Sequence, residues 1–376
     1  MELYIMEFDY FPLSIANGMA FCNRQKELQH LTINIQLARS TLLMSPRRYG
    51  KTSLVLMALE QAQVIYAHVD LFKEINVNDV AKSIINGIGK LLAALENKPE
   101  KLFRLAVEFF ADLPIRVALE KKGLVLEMRY ERNVATTIEL SLSKLHDLAK
   151  RANKKVVLFI DEFQRLAEFD DNIPIEAAIR TVAQLSQHVT YLFSGSNRHL
   201  LQTMFFDAKR PFYKLCDTIR LDRIAKEHYE KHIHMAALKH WGKSISKEAI
   251  DKILVLTECH SYYVNLLCFK LWLGDLPKVN SVESCWSQCA DEERSQIINE
   301  LDSLSANQKK LLILLSRSDC VTKPTGREFA SQAQMSTTSI SQAMSVLIEK
   351  DHVYREATGY YRLIDPLMKY LYQWNT

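Results

Sequence analysis

The sequence predicts an α/β protein with a parallel sheet covered by helices, then an all-helical stretch, then a small domain of helices and a β-hairpin. Three observations predict it. Up to about residue 221, apolar strand-like runs alternate with helical patterns, which is how chains built from βαβ units read. From about Asp222 to Ala290 only the helical period is present. From about Leu304 the pattern changes again, to three helices followed by a hairpin.

In the first region Thr41–Met44 reads as a strand, Ser45–Gly50 as a turn, and Lys51–Gln63 as a helix with Leu54, Leu56, Met57 and Leu59 inward. Val64–Asp70 reads as a second strand. Residues 74–150 read as largely helical, with one β-like interruption at Gly123–Arg129. The strands resume at Val156–Ile160 and, after a helix over Pro174–Gln187, at Val189–Phe193. Five apolar residues in a row suit a strand buried on both faces, as in parallel sheets.

The bulk numbers limit the possibilities further. A chain of 376 residues exceeds one ordinary domain. With 48 basic and 44 acidic residues the net charge is +4, which is compatible with nucleic acid without arguing for it. Glycine (10) and proline (9) are scarce, which favours a mostly helical, closely connected protein. No apolar run approaches the ~20 residues that span a bilayer, and Met1–Glu7 is acidic where an export signal is basic. The expectation is a cytoplasmic protein without a membrane partner. The seven cysteines are odd in number and scattered. Cys285 and Cys289 fall on one helix face, but nothing downstream completes a zinc set, so reduced thiols are expected.

Ser45-Pro46-Arg47-Arg48-Tyr49-Gly50-Lys51-Thr52 fits the phosphate-loop pattern G-x-x-x-x-G-K-[ST], with serine at the first glycine. Its chemistry needs backbone N–H groups converging on phosphate oxygens at a helix N-terminus, where the helix dipole adds positive potential. Gly50 permits the close backbone approach, Lys51 would reach the β- and γ-phosphates, and Thr52 would offer its hydroxyl to Mg²⁺. The run Val156–Ile160 ends in Asp161-Glu162. In open α/β sheets ligands bind at that strand end, so Asp161 is expected to hold Mg²⁺ and Glu162 to polarise the attacking water. The strand ending at Phe193 delivers Ser194, Ser196 and Asn197 to the same edge, any of which would sense the γ-phosphate or orient the water. Arg198 and Arg210 follow as candidates for stabilising charge on the transferring phosphoryl group. Arg47 and Arg48 lie inside the loop itself. The fold class is therefore a parallel-sheet P-loop NTPase core, with a nucleoside triphosphate and Mg²⁺ as expected ligands.

Phe21-Cys22-Asn23-Arg24 with Glu27-Leu28, Pro46–Leu54, and Phe159-Ile160-Asp161-Glu162-Phe163-Gln164 together resemble the archaeal-type ATPases. These form part of the STAND branch of AAA+-related P-loop proteins. Gly195-Ser196, Arg210-Pro211-Phe212-Tyr213 and Tyr361–Leu367 fit the same resemblance, which covers the chain except the middle of 74–150. It implies an ASCE/AAA+-like core, with Asn23 and Arg24 toward adenine and Pro46–Ser53 around the phosphates. It also implies a helical lid closing over the base. The family's lid motif T-x-G-x-P-x-Y stands here as Thr257-Glu258-Cys259-His260-Ser261-Tyr262-Tyr263, without its glycine and proline.

The expected division is an ATPase core over 1–221, with a helical insertion at about 74–150, a helical lid over 222–302 and a winged-helix domain over 303–376. In that last domain Ala306–Leu315 reads as the first helix and Thr325–Gln332, capped by Thr325, as the second. Ser336 caps a third, Thr337–Lys350, with Ile340, Ala343, Met344, Leu347 and Ile348 inward. His352–Leu363 is the hairpin, turning at Thr358-Gly359. Ser336, Thr337, Thr338, Ser339, Ser341, Gln342 and Ser345 form the outer face of the third helix. They can hydrogen-bond bases but carry no cation, leaving phosphate contacts to Arg355, Arg362 and Lys369. Three functions stay open: an ATP-driven switch read by a protein effector or through self-assembly, a nucleotide-dependent binder of double-stranded DNA laid out like origin-recognition ATPases, and an ATP-binding scaffold without hydrolysis.

Overall fold

A computed structural model describes residues 10–120, 123–128, 133–318, 321–356 and 358–374. Met1–Glu7, Arg129, Cys320 and Ala357 lie outside them. In chain order the elements are α1 (Gln25–Gln36), β1 (Thr41–Met44), α2 (Lys51–Ala62), β2 (Ile65–Asp70), α3 (Val77–Leu95), α4 (Pro99–Phe110), β3 (Ile115–Glu120) and β4 (Gly123–Met128). Then come α5 (Val134–Arg151), β5 (Val156–Asp161), α6 (Asn172–Leu185), β6 (Val189–Gly195), α7 (Arg198–Phe206) and β7 (Asp217–Arg220). The C-terminal elements are α8 (Lys226–Trp241), α9 (Lys247–Leu256), α10 (Ser261–Leu271), α11 (Val279–Asp302), α12 (Ala306–Arg317) and α13 (Arg327–Ala333). They end with α14 (Thr337–Glu349), β8 (Val353–Arg355), β9 (Tyr361–Leu363) and α15 (Pro366–Trp374).

The chain divides into two compact units. One comprises 25–45 and 54–221. Its centre is a parallel sheet of order β2-β5-β6-β1-β7. Every residue of β1, β5 and β6 is buried, because alternate side chains meet cover on opposite faces. Leu158, Ile160, Tyr191 and Phe193 join one core with Ile84 and Ile88 of α3 and Leu142 of α5. Each such buried aliphatic or aromatic side chain contributes about 1.5–3 kcal/mol. The register aligns Leu43 with Ser194 and Ile160 with Phe193, so Asp161, Ser194 and Leu43 lie at one level near the carboxyl edge.

Residues 74–150 are largely helical with a β interruption at Gly123–Met128, as the sequence predicts, but the interruption has a second strand that the prediction lacks. Ile115–Glu120 is a strand that pairs antiparallel with Gly123–Met128; it packs on α4, and its partner strand packs on α3. Its run, Ile-Arg-Val-Ala-Leu-Glu, carries only one fully buried position, so no core demand shows in the pattern. The edge strand β7 was equally hidden, with only Ile219 buried. Gly87, within α3, touches the sheet so closely that a Cβ would lie 2.5 Å from Val69 Cγ2 and 3.2 Å from Leu158 Cδ1.

The other unit comprises 1–24, 46–53 and 222–376. One apolar core runs through α8–α11 and on through α12–α15, from Ile233 and Trp286 to Leu347 and Leu371. Ser336 caps α14 by accepting from Ser339 N, and Ile340, Ala343, Met344 and Leu347 are buried. Thr325 does not cap the second helix: α13 starts after Gly326, which makes no side-chain cap bond. Val321 forms an isolated antiparallel bridge with Tyr361 beside the two-stranded wing. Among the described residues no helix is long and apolar enough to cross a membrane.

Gly87→Val should destabilise the protein by about 1–3 kcal/mol through overpacking, although valine has the better helix propensity. A urea midpoint equal to or above wild type would contradict the close α3–sheet contact.

Candidate functional site

The phosphate-loop segment turns through left-handed backbone at Arg48 (φ 64°) and Gly50 (φ 85°) before entering α2. At Gly50 an added Cβ would meet nothing within 4 Å, so glycine is favoured here by its left-handed φ and not by a close neighbour. Lys51 is buried, and its ammonium donates to the Pro46 carbonyl at 3.3 Å. Ser45 is buried at the end of β1. Ser53 Oγ accepts from Ala16 N at 3.0 Å, tying the first turn of α2 to the N-terminal segment. Asn23 (φ 57°) and Arg24 (φ 70°) are consecutive left-handed residues, an uncommon and costly conformation. Arg24 is buried and donates to the carbonyls of Tyr49 (3.4 Å) and Asp222 (2.5 Å), bracing the loop from behind.

In the sheet unit the acidic pair is held firmly. Asp161 ends β5, buried, and accepts from the Ser194 hydroxyl and from Glu162 N at 2.9 Å. His68 Nε2 lies 3.8 Å from Asp161 Oδ2, with its ring stacked on Phe159 at 4.5 Å. Glu162 is left-handed (φ 51°), and its Oε2 accepts from Ser196 Oγ at 2.8 Å and Gln164 Nε2 at 2.5 Å. Asn197 caps α7 by accepting from Leu200 N, and Arg198 opens that helix. Arg210 is paired with Glu176, whose side chain is fully buried. Burial pushes the Glu176 carboxyl up to about 7, with Arg210 only partly opposing. Arg210 thus neutralises a buried acid, and removing it would strand that charge.

The second unit contains a polar cluster centred on Arg223, a residue that no sequence pattern singled out. Arg223 is nearly buried and donates to five oxygens. Its Nε reaches Tyr49 Oη at 3.2 Å, and one terminal nitrogen reaches Glu258 O at 3.1 Å and the Glu258 carboxylate. The other reaches the Leu363 and Ile364 carbonyls, both at 3.2 Å. Lys369 Nζ donates to the same Glu258 at 2.7 Å. Tyr263 Oη donates to Asp365 at 2.6 Å, and the Arg48 guanidinium lies 4.2 Å over the Tyr262 ring. Tyr49, from the middle of the phosphate loop, is buried edge-on to His260 (4.8 Å) and Tyr354 (6.5 Å). Burial alone would raise the Glu258 carboxyl, but Arg223 and Lys369 outweigh it and hold it below its ordinary value. His260 Nδ1 is buried without a hydrogen bond. Burial, with Arg223 and Arg48 nearby, pushes that imidazole down to about 3, so it is neutral at pH 7.

On α14 the outer hydroxyl-bearing face is exposed or half-exposed as expected. The wing cations are less available than their sequence suggests. Arg362 pairs with Glu356 at 2.9 Å and Lys369 with Glu258, while Arg355 lies 5.7 Å over Tyr361. Among the described residues no group of three or more His, Cys, Asp or Glu is placed to hold a metal ion, Cys285 and Cys289 included.

A five-stranded parallel sheet with a strand–loop–helix phosphate motif, followed by helices and a C-terminal winged helix, is a P-loop NTPase fold. A family model described as a probable winged helix domain matches residues 297–374. Among solved structures, a Walker-type ATPase of Pyrococcus abyssi superposes with TM-score 0.68 at 14% identity, over 97% of this chain and 99% of that one. The ORC1 protein of Aeropyrum pernix in complex with DNA gives 0.49 at 14% identity, covering 97% and 94%. That organism's ORC2 protein gives 0.49 at 13%, covering 98% and 99%. These two likenesses are more distant. No curated protein matches the chain by sequence.

Because the native state keeps His260 unprotonated, His260 contributes stability fully above pH 6.5. That contribution is lost as pH falls toward about 3, by at most ~1.4 kcal/mol per pH unit. His260→Phe should therefore show a shallower loss of stability than wild type between pH 6.5 and 4.5. Equal slopes of urea midpoint against pH would contradict the neutral, buried imidazole.

Proposed function

We propose that the chain binds ATP with Mg²⁺, hydrolyses it slowly, and uses the nucleotide state as a switch read through its helical segment and winged helix. One observation carries this reading. Tyr49 and Arg48, inside the phosphate loop, pack against His260 and Tyr262 of the helical segment and Tyr354 of the winged helix, and Tyr49 Oη accepts from Arg223, within one compact unit. A ligand that reorders loop 46–52 must therefore act on Arg223 and its partners, and a switch needs such differential contacts.

Roles follow from chemistry and chain order. The chain leaves β1 for the phosphate loop at the sheet edge where β5 and β6 end. The left-handed turn at Gly50 suits a loop that wraps phosphate oxygens, and an all-oxygen donor set of Thr52 and Asp161 suits Mg²⁺. When bound, that ion neutralises charge on the β- and γ-phosphates. Lys51 leaves the Pro46 carbonyl for the phosphates, with Pro46–Ser53 as the cradle. Asn23 and Arg24 lie on the adenine side. Glu162 orients and polarises the water, and Ser194 and Ser196 fix the two carboxylates. Asn197 and Arg198 stand at the γ-phosphate end of β6. Arg210, committed to Glu176, serves structure. In this scheme residues 1–221 form the core, 222–302 the lid and 303–376 the reading domain. The internal pairing of Arg362 and Lys369 withdraws two of the three cations expected to contact DNA phosphates, which favours a protein partner or a second copy of the chain over duplex DNA.

Mg-ATP at a hundred times its Kd should raise the stability of the wild-type protein by about 2.7 kcal/mol, while Lys51→Ala should show no shift. Glu162→Gln should keep the shift and lose most phosphate release. Absence of a shift in wild type would overturn nucleotide binding, and a Glu162→Gln variant as active as wild type would overturn the hydrolytic role. Duplex DNA is expected to bind the full chain no more tightly with Arg355 than with Arg355→Ala. A clear loss on that substitution would revive the DNA reading.

A further inference from the structure

Gln164 has no part in the roles above, yet its surroundings hold it closely. The side chain is buried. Its Nε2 donates to Glu162 Oε2 at 2.5 Å, two residues back along the chain. Its Oε1 is buried without a hydrogen-bond partner. A buried amide carbonyl left unsatisfied is costly, so something must hold the amide this way round. The carboxylate does: it accepts from an N–H and repels a carbonyl oxygen. Space for the amide comes from β6, where Gly195 has no side chain. A Cβ there would fall 1.9 Å from Gln164 Oε1 and 3.0 Å from its Cδ. Ser196 Oγ, the next residue, donates to the same Glu162 oxygen at 2.8 Å. Two donors therefore converge on Oε2 of Glu162, whose backbone is itself turned left-handed (φ 51°). Oε1 of that carboxylate receives neither of them.

The geometry points to Gln164 as a positioning residue for Glu162. With Ser196 it clamps one carboxylate oxygen and so aims the other. Gly195 is the space that lets the clamp form. This rests on the proposed role of Glu162 in polarising water, and it adds what fixes that carboxylate before the ligand arrives. Gln164 touches neither nucleotide nor water in this scheme. Its loss should lower kcat and leave nucleotide affinity in place, because a misplacement on the order of 1 Å at a catalytic group can cost up to about a hundredfold.

The test uses the full-length protein, with phosphate release measured across Mg-ATP concentrations and binding followed by thermal shift. Gln164→Met keeps length and volume but removes the donor. It is expected to lower kcat at least about tenfold, with KM and the Mg-ATP thermal shift close to wild type. Gly195→Ala should give the same kcat loss by displacing the amide, and should add little in a Gln164→Ala background. Should Gln164→Met fail to fold, Ser196→Ala removes the second donor to the same oxygen and is expected to show the same split. Unchanged kcat in Gln164→Met (or in Ser196→Ala, if that variant has to stand in), alongside a Glu162→Gln variant that has lost hydrolysis, would overturn the clamp and leave the function standing. A proportionate rise in KM with kcat unchanged would also overturn it. A wild-type protein that binds Mg-ATP without Glu162-dependent hydrolysis would instead overturn the functional reading itself.

Discussion

Arg223 is a permanently charged side chain taken almost wholly out of water, and its environment is arranged around that charge. An isolated buried cation is prohibitively costly, so each face of the guanidinium must find an acceptor. Here the acceptors come from three separated stretches of sequence: the phosphate-loop hydroxyl of Tyr49, Glu258 at the turn before α10, and the carbonyls of Leu363 and Ile364 beyond the wing. Glu258 in turn binds Lys369 of α15. Removing one partner leaves a buried charge uncompensated, a loss on the order of 3–5 kcal/mol. The cluster is therefore stable when complete and sensitive to any shift of its members. That is the property a coupling element requires. The neutral His260 and the buried rings of Tyr49 and Tyr354 keep water out, which strengthens each of these contacts.

The sheet unit meets a different demand, which is to hold two carboxylates at a strand end in fixed orientations. Parallel pairing puts β5 beside β6 and β6 beside β1, so small polar residues at the end of β6 reach the acids at the end of β5. Ser194 serves Asp161, and Ser196 serves Glu162. Close approach then decides where glycine is needed: Gly195 admits the Gln164 amide, and Gly87 lets α3 settle onto Val69 and Leu158.

Much of this was legible in the sequence. Continuous apolar runs ending in Asp161-Glu162 and in Ser194-Gly195 announced buried strands, and the helical period of α14 showed which residues face inward. The phosphate loop was recognisable by its spacing despite Ser45. What stayed hidden has physical causes. β3 and β7 carry few buried positions, so tertiary pairing alone defines them. Thr325 looked like a cap, but the helix begins two residues later because the Gly326 carbonyl, not a side chain, starts its ladder. Arg223, Glu258 and Lys369 are spread over almost 150 positions of chain, and no local periodicity links them. Arg362 and Lys369 read as free wing cations, because sequence shows charge but not the acid that neutralises it.

If nucleotide at the phosphate loop is felt by the winged helix through Arg223, the backbone of the wing must register it. Amide hydrogen exchange of the full-length protein, followed with and without Mg-ATP, reads this directly. The expected result is a nucleotide-dependent change in exchange across residues 256–264 and 353–364, lost in Arg223→Met while exchange in loop 46–52 still responds. A response confined to loop 46–52 in the wild-type protein, with 353–364 unmoved, would contradict it.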